Sequence, residues 1–259
     1  MANKSIGFIG GGRITRIFLE ANKRAGISNQ NVIVSDVNTD GLAALHADYP
    51  EIEISPNDNT RPALCDVVFL AVHPPMIGAI LADIAPKLQQ NAIFVSLAPK
   101  FTIVKLMNAL GGFGRIARMI PNAPSVIGAG YNPIAYASAL TDEDKSILMS
   151  VLAPLGQSPV VLDENLEAYA LITAMGPTYF WFQWAELKKL ALSFGLSEVE
   201  AEVGIKHMLG GAIKTMFESG MSEAAVIDLI PVKPLADEEA GIKAAYETKL
   251  TALYEKLTS

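Results

Sequence analysis

Hydrophobic positions follow two regimes along the chain. In the first regime, short unbroken apolar runs alternate with stretches of helical spacing. The runs are Lys4 to Ile9, Asn31 to Ser35, Asp66 to Val72, Ala92 to Ser96, Ile116 to Ile120 and Ile134 to Ala137, with shorter candidates at Ile52 to Ile54 and Pro159 to Leu162. Uninterrupted apolar runs are what strands buried on both faces show. Between them, Ile17 to Ala25 and Thr39 to Ala47 have helical spacing. A helix beginning near Pro75 gathers Met76, Ile77, Ile80, Leu81 and Ile84 on one face, and Thr141 followed by Asp142, Glu143 and Asp144 reads as a cap with an acidic first turn. Strands and helices in that alternation predict a right-handed parallel sheet, an α/β domain of Rossmann type over residues 1–162.

The second regime starts at Asp163, where strand patterns stop. Helices are expected over Asn165 to Ala174, Pro177 to Ser193, Ser197 to Glu218, Ser222 to Leu229 and Leu235 to Leu257, with Gly195 to Ser197 and Ser219-Gly220 as stop and start signals. Residues 163–259 therefore read as an all-helical C-terminal dimerisation domain. Phe180, Trp181, Phe182 and Trp184 crowd successive faces of one helix, so no single stripe can bury them all. Such a helix needs cover on all sides, and a homodimer through Asn165 to Glu218 is expected.

Composition narrows the partners. The chain has 259 residues, 51% of them hydrophobic, enough for a large core, and a formal net charge of -7 with a pI near 5.0. No basic field is available for nucleic acid or an anionic membrane surface. A single cysteine, Cys65, excludes an intrachain disulfide, and the N-terminus lacks a signal-peptide core, so a cytoplasmic location is expected. His46, His73 and His207 are too scattered for a metal site. Two charge-free stretches, Met119 to Thr141 and Ala168 to Ala185, are broken by prolines or Gly176-Pro177 and read as protein interior, not as membrane spans.

Candidate chemistry begins at the first strand end. Gly10-Gly11-Gly12-Arg13-Ile14-Thr15 joins strand to helix: Gly10 permits a tight turn, Gly12 permits close approach of a pyrophosphate, and the helix start aims free N–H groups at the anion. Thr15 stands where the dinucleotide fingerprint has Gly or Ala, which would hold the helix slightly farther from the strand. Asp36, ending the second strand, is placed to accept ribose hydroxyls and to repel a 2′-phosphate, so NAD is favoured over NADP; the plainer reading is a turn-starting aspartate. Ligands of such sheets sit beyond the carboxyl ends of the strands. The turns at Gly10 to Gly12, His73-Pro74, Ala98-Pro99 and Pro121-Asn122 should therefore converge on one crevice.

With those residues in place, the chain resembles the pyrroline-5-carboxylate reductase family over nearly its whole length. The resemblance is carried by Ile6 to Gly12, Ala71-Val72-His73-Pro74, Ser96-Leu97-Ala98, Arg118 to Pro124 (Arg-Met-Ile-Pro-Asn-Ala-Pro) and Gly176-Pro177-Thr178-Tyr179 leading to Ala185-Glu186-Leu187. It implies a nicotinamide cofactor on the first domain, a helical dimerisation domain, an active site shared between subunits, and hydride transfer to the imine carbon of a small five-membered ring. The expected cofactor residues are Gly10, Gly11, Gly12, Arg13 and Ile14 in the first turn, with Ser35 and Asp36 at the second strand end. Ala71, Val72, His73, Pro74, Ala98 and Asn122 complete the set. Asn122 would meet the nicotinamide ribose or carboxamide; otherwise it is a turn residue between prolines.

The substrate side departs from the family. Thr173-Ala174-Met175 replaces Ser-Gly-Ser, Lys233 to Glu238 replaces the Ser-Pro-Gly-Gly-Thr-Thr loop that holds a substrate carboxylate, Ala98-Pro99-Lys100 replaces an Ala-Ala-Gly turn, and His73 stands where lysine is usual. The catalytic candidates are Glu238, Asp237 and Thr173, with Glu238 expected to replace a hydroxyl donor as general acid if burial raises its pKa. The bland account of Asp237 and Glu238 is that they offset a helix dipole. Glu186 is read as a buried acid, structural or functional. Two other functions fit the architecture: a 3-hydroxyacid type dehydrogenase, and a non-catalytic nucleotide-binding homologue whose substrate loop has decayed.

Overall fold

The computed structural model describes residues 4–72 and 74–259. The chain divides into two compact units, Met1–Met175 together with Tyr254–Ser259, and Gly176–Leu253.

The first unit is built on a seven-stranded sheet. In chain order its elements are β1 (Ile6–Ile9), α1 (Arg13–Arg24), β2 (Val32–Asp36), α2 (Thr39–Asp48), β3 (Glu53–Pro56), α3 (Thr60–Ala63), β4 (Val67–Leu70) and α4 (Pro74–Ile84). Then come β5 (Ile93–Ser96), α5 (Ile103–Ala109), β6 (Ile116–Met119), β7 (Gly130–Tyr131), β8 (Ile134–Tyr136), α6 (Asp142–Leu152), β9 (Gly156–Gln157) and α7 (Leu166–Tyr169). The strand order is β3-β2-β1-β4-β5-β6-β8, all parallel except β8, while β7 and β9 pair apart from it. The chain runs outward from β1 to β3 and then returns to the other side of β1 as β4. The sheet thus reverses direction between β1 and β4, the place where such sheets open a ligand crevice.

Register fixes which turns meet there. Ile9 is level with Ser35 and with Leu70, Leu70 with Ser96, and Ser96 with Arg118. Each strand of that row ends within a residue of its neighbours, so the turns after β1, β2, β4, β5 and β6 lie along one edge of the sheet. Aromatic packing seats α1 over the switch. Phe8 of β1 stacks on Phe69 of β4 with ring centroids 4.8 Å apart, and Phe18 of α1 meets both edge-on.

Several elements differ from the sequence reading. Pro159 to Leu162, expected as a strand, forms only an isolated bridge between Val160 and Ile134, because Pro159 has no N–H to extend a ladder. The helix expected over Asn165 to Ala174 is three pieces: a 3₁₀ turn at Asp163–Asn165, α7, and a π-helical turn at Ala170–Ala174. α5 was not legible as a helix because it is short; Thr102 caps it by accepting the Lys105 N–H.

The second unit contains α8 (Pro177–Ser193), α9 (Glu198–Glu218), α10 (Glu223–Asp228) and most of α11 (Ala236–Thr258). α9 begins with a capping box in which Ser197 and Glu200 exchange hydrogen bonds with each other's backbone N–H. Within this unit Tyr179 meets Tyr246 edge-on and Phe180 stacks on Trp184. Large apolar side chains nevertheless stand in the open, among them Phe182 at 68%, Phe194 at 79% and Phe217 at 80% exposure.

Candidate functional site

The crevice starts with backbone geometry that only glycine satisfies. Gly10 has φ +110°, and a Cβ there would lie 2.4 Å from the Ala71 carbonyl oxygen. Its N–H donates to the Ser35 carbonyl at 2.8 Å, locking the turn against β2. At Gly12, by contrast, a Cβ would meet nothing within 4 Å, so no protein neighbour demands glycine. The open space lies at the start of α1, where unpaired N–H groups and the positive end of the helix dipole favour an anion. Arg13, first residue of α1, is exposed beside it. Thr15 is buried, and its hydroxyl donates to the Gly10 carbonyl at 2.5 Å, tying helix to turn.

Asp36 closes the far side of this turn. One carboxylate oxygen accepts the Gly11 N–H at 2.7 Å and the other accepts the Asn38 N–H at 2.8 Å, which orients the group at the end of β2. Ser35, expected with it from the sequence, is buried, and its hydroxyl donates to Asn59 Oδ1 at 2.7 Å, just before α3. Ala71 follows β4, with its N–H on the Ile9 carbonyl at 2.8 Å, and Val72 is half-buried next to it. His73 lies outside the described residues. Pro74 begins α4.

The turn after β5 carries Ala98, which is buried, and Lys100, which adopts φ +75°. A left-handed lysine costs about 1–2 kcal/mol relative to glycine. A network anchored on Arg118 holds it there. Arg118 is 1% exposed and pairs with Asp163 at 2.6 Å and with Glu167 at 2.6 Å. Glu167 Oε1 also accepts the Lys100 N–H at 3.0 Å, and Asp163 Oδ2 accepts the Ile103 N–H at 2.9 Å. Arg118 Nε is buried with no acceptor among the described residues. The motif alone assigns Arg118 no role. Its signal was an arginine in the middle of an otherwise apolar strand, a charge that demands buried partners.

Asn122, at the next turn, is 7% exposed. Its Oδ1 accepts the Tyr131 N–H at 3.1 Å, and its Nδ2 donates to the Thr173 carbonyl at 3.4 Å. The side chain is therefore a clamp between β7 and the π-helical turn, more than a plain turn residue. The Thr173 hydroxyl donates to the Tyr169 carbonyl at 2.8 Å. Single π-helical turns often mark functional sites. Asn122 and Thr173, far apart in sequence, are brought together.

Asp237 and Glu238 lie in the first turn of α11, in the second unit, and both are exposed in the single chain, as is the neighbouring Glu239, which pairs with Lys243 at 2.5 Å. Burial, the condition set for Glu238 as an acid, is not met within one chain. Glu186, read as a buried acid, is exposed and pairs with Lys189 at 3.0 Å, because it lies on an outward face of α8. Among the described residues no cluster of His, Cys, Asp and Glu could hold a metal ion, and no helix is long and apolar enough to cross a membrane.

A positive-φ glycine turn at β1, open space at the α1 start, an oriented carboxylate ending β2 and a switch between β1 and β4 fit a dinucleotide. They define a dinucleotide-binding site of Rossmann type. Residues 5–100 match the family described as NADP oxidoreductase, coenzyme F420-dependent. Over 98% of its length the chain is 25% identical to pyrroline-5-carboxylate reductase of Escherichia coli, covering 97% of that protein. It is likewise 25% identical to pyrroline-5-carboxylate reductase 1 of Bacillus subtilis, over 93% of this chain and 81% of that one. A pyrroline-5-carboxylate reductase structure from Coxiella burnetii superposes with TM-score 0.70 at 25% identity, covering 98% of this chain and 94% of that one. The Plasmodium falciparum pyrroline carboxylate reductase structure with NADP bound is similar in fold, with TM-score 0.76 at 20% identity over 99% of this chain and 96% of that one. Over nearly its whole length the chain is similar to pyrroline-5-carboxylate reductases, and it is an NAD(P)-dependent reductase.

Proposed function

We propose that the protein reduces a C=N bond in a small cyclic imine, working as a homodimer and preferring NADH to NADPH. A bound reduced nicotinamide would supply the hydride. Gly10 to Gly12, with Arg13 and Ile14, would hold its pyrophosphate, and Asp36 its ribose. Ala71, Val72, His73, Pro74, Ala98 and Asn122 would flank the nicotinamide end. The observation that carries the cofactor preference is Asp36: its two oxygens are oriented by the Gly11 and Asn38 N–H groups, so a 2′-phosphate there would meet a fixed negative charge. The Plasmodium falciparum relative is described with NADP bound, so both cofactors belong in the test.

The remaining assignments follow from the same reading. Residues 1–162 are the cofactor domain and 163–259 the helical dimerisation and substrate domain. Thr173 would act from the π-helical turn, and Glu238, with Asp237 second, would supply the proton once a partner subunit covers α11. The test is NADH and NADPH oxidation over a panel of cyclic imines with and without a carboxylate, together with titration of each cofactor. The expected outcome is turnover of at least one imine with NADH bound about tenfold or more tighter than NADPH. NADPH binding tenfold tighter would remove the role given to Asp36, and no turnover with any imine would remove the reaction.

A further inference from the structure

Lys100 combines a backbone conformation that does not suit lysine with an ammonium that has no partner among the described residues. Among the described residues only Asn57 and Lys100 are non-glycine residues with positive φ, and asparagine tolerates that conformation well. A lysine does not, yet its backbone is fixed there by Glu167, itself fixed by Arg118. Backbone strain held by an over-determined network is a mark of functional positions. The second feature is charge. Two carboxylates stand beside this turn, but Asp163 and Glu167 are occupied by Arg118 and by the Ile103 and Lys100 N–H groups. The Lys100 ammonium forms no ion pair among the described residues, although the side chain is half-buried.

We infer that Lys100 is a specificity-determining residue whose ammonium receives a carboxylate group of the substrate. A half-buried cation left unpaired at the C-terminal edge of the sheet is an anion site, and two anions compete for it: the cofactor pyrophosphate and the substrate. Position decides between them. The glycine turn is at the end of β1, and β5 is two strands away across β4, so Lys100 lies on the order of 10 Å from it. That separation puts Lys100 on the side of the crevice where the reacting ring, not the pyrophosphate, is held. The reason for lysine at a position whose backbone suits glycine is then its side chain.

This inference rests on the imine reading, and the experiment separates the two. Steady-state kinetics compare 1-pyrroline-5-carboxylate with 1-pyrroline, the same ring without the carboxylate, for wild type, Lys100→Met, Lys100→Arg and Lys100→Gly. Lys100→Met is expected to raise KM for the carboxylate about 10–100-fold, the worth of one charge-assisted hydrogen bond, with KM for 1-pyrroline changed less than about twofold. Lys100→Arg should recover most of the loss. Lys100→Gly should behave like Lys100→Met toward substrate and melt no lower than wild type, since glycine relieves the strain. Equal effects on both rings, or none, would overturn the inference. Binding of proline and of pyrrolidine to the NADH complex, followed by calorimetry, reads the same contact without turnover. If wild type reduces neither ring but binds proline at least tenfold tighter through Lys100, the reaction reading alone fails; if wild type shows no preference for the carboxylate, the role of Lys100 fails. Loss of NADH affinity in Lys100→Met, with the carboxylate preference intact, would assign the cation to the cofactor and overturn the inference too.

Discussion

The two compact units solve the problem of burial in opposite ways. The first closes on itself: β4, β5 and β6 are buried along their lengths and β1 after its first residue, three phenylalanines interlock between sheet and helix, and even its internal arginine is paired on both arms. The second has little interior of its own, leaving Phe182, Phe194 and Phe217 open. At about 25 cal/mol per Å² of apolar surface removed from water, side chains of that size are a strong drive to association. A self-sufficient unit holds the cofactor turns still. A unit that is unfinished alone is the one expected to be completed by a second copy.

The sharpest way to break this contrast is through charge. Ion pairs in the second unit, such as Lys188 with Glu198 and Glu202, are exposed, whereas Arg118 is buried with both partners. Arg118→Ala leaves two carboxylates uncompensated in the first unit and should destabilise the fold by about 3–5 kcal/mol. Urea denaturation followed by sheet circular dichroism measures it. Removing Lys188 should shift the same curve by no more than its error. Comparable losses at both positions would mean that the second unit is as internally organised as the first.

The next effect falls on association. Phe217→Asp places a charge where the single chain shows an open aromatic side chain. If the face is free, the change costs within about 0.5 kcal/mol, as surface substitutions do. If it is buried between copies, the dimer should weaken by about 2–4 kcal/mol, or roughly 30- to 1,000-fold in Kd. Sedimentation velocity across micromolar concentrations distinguishes the outcomes, and an unchanged dimer would remove Asn165 to Glu218 as its interface.

The same contrast explains what the sequence made legible. Strands β1, β2, β4, β5 and β6 announced themselves because burial on both faces leaves uninterrupted apolar runs, and α8 was read with its observed bounds from Pro177 and Gly195. Local chemistry was enough at Gly10 and at the Thr141 cap. What stayed hidden was set by long-range partners. The strand expected at Pro159 to Leu162 dissolved into a bridge, and the helix at Asn165 to Ala174 broke into a 3₁₀, an α and a π segment, because Asp163, Glu167 and Thr173 are held by residues distant in sequence. The left-handed turn at Lys100 is not announced by the lysine itself; its one signal is the glycine of the Ala-Ala-Gly turn that Lys100 replaces.

The smallest effect compares one motif used twice. Thr141 with Asp144 and Ser197 with Glu200 are both capping boxes, at the starts of α6 and α9. The α9 box is local and exposed. The α6 box is tied into its unit: Asp144 is 5% exposed, and its other oxygen takes Arg115 at 2.5 Å, while Arg115 also donates to the Ala92 and Asn91 carbonyls beside β5. Burial pushes the Asp144 carboxyl up, but the Thr141 N–H and hydroxyl and the Arg115 guanidinium outweigh it and hold the group below the usual carboxylate range. A depressed folded pKa gives stability that is present above the unfolded value, near 4, and is lost as pH falls through the folded one. Asp144→Asn should therefore cost about 1–2 kcal/mol at pH 7. The gap to wild type should close as pH is taken below about 4. Glu200→Gln should shift the thermal midpoint less at every pH, its carboxylate being solvated in both states. Melting both variants from pH 7 to pH 3 checks this. A gap for Asp144→Asn that stays constant with pH would mean that the side chain acts through packing alone and that its link to Arg115 adds nothing to the first unit.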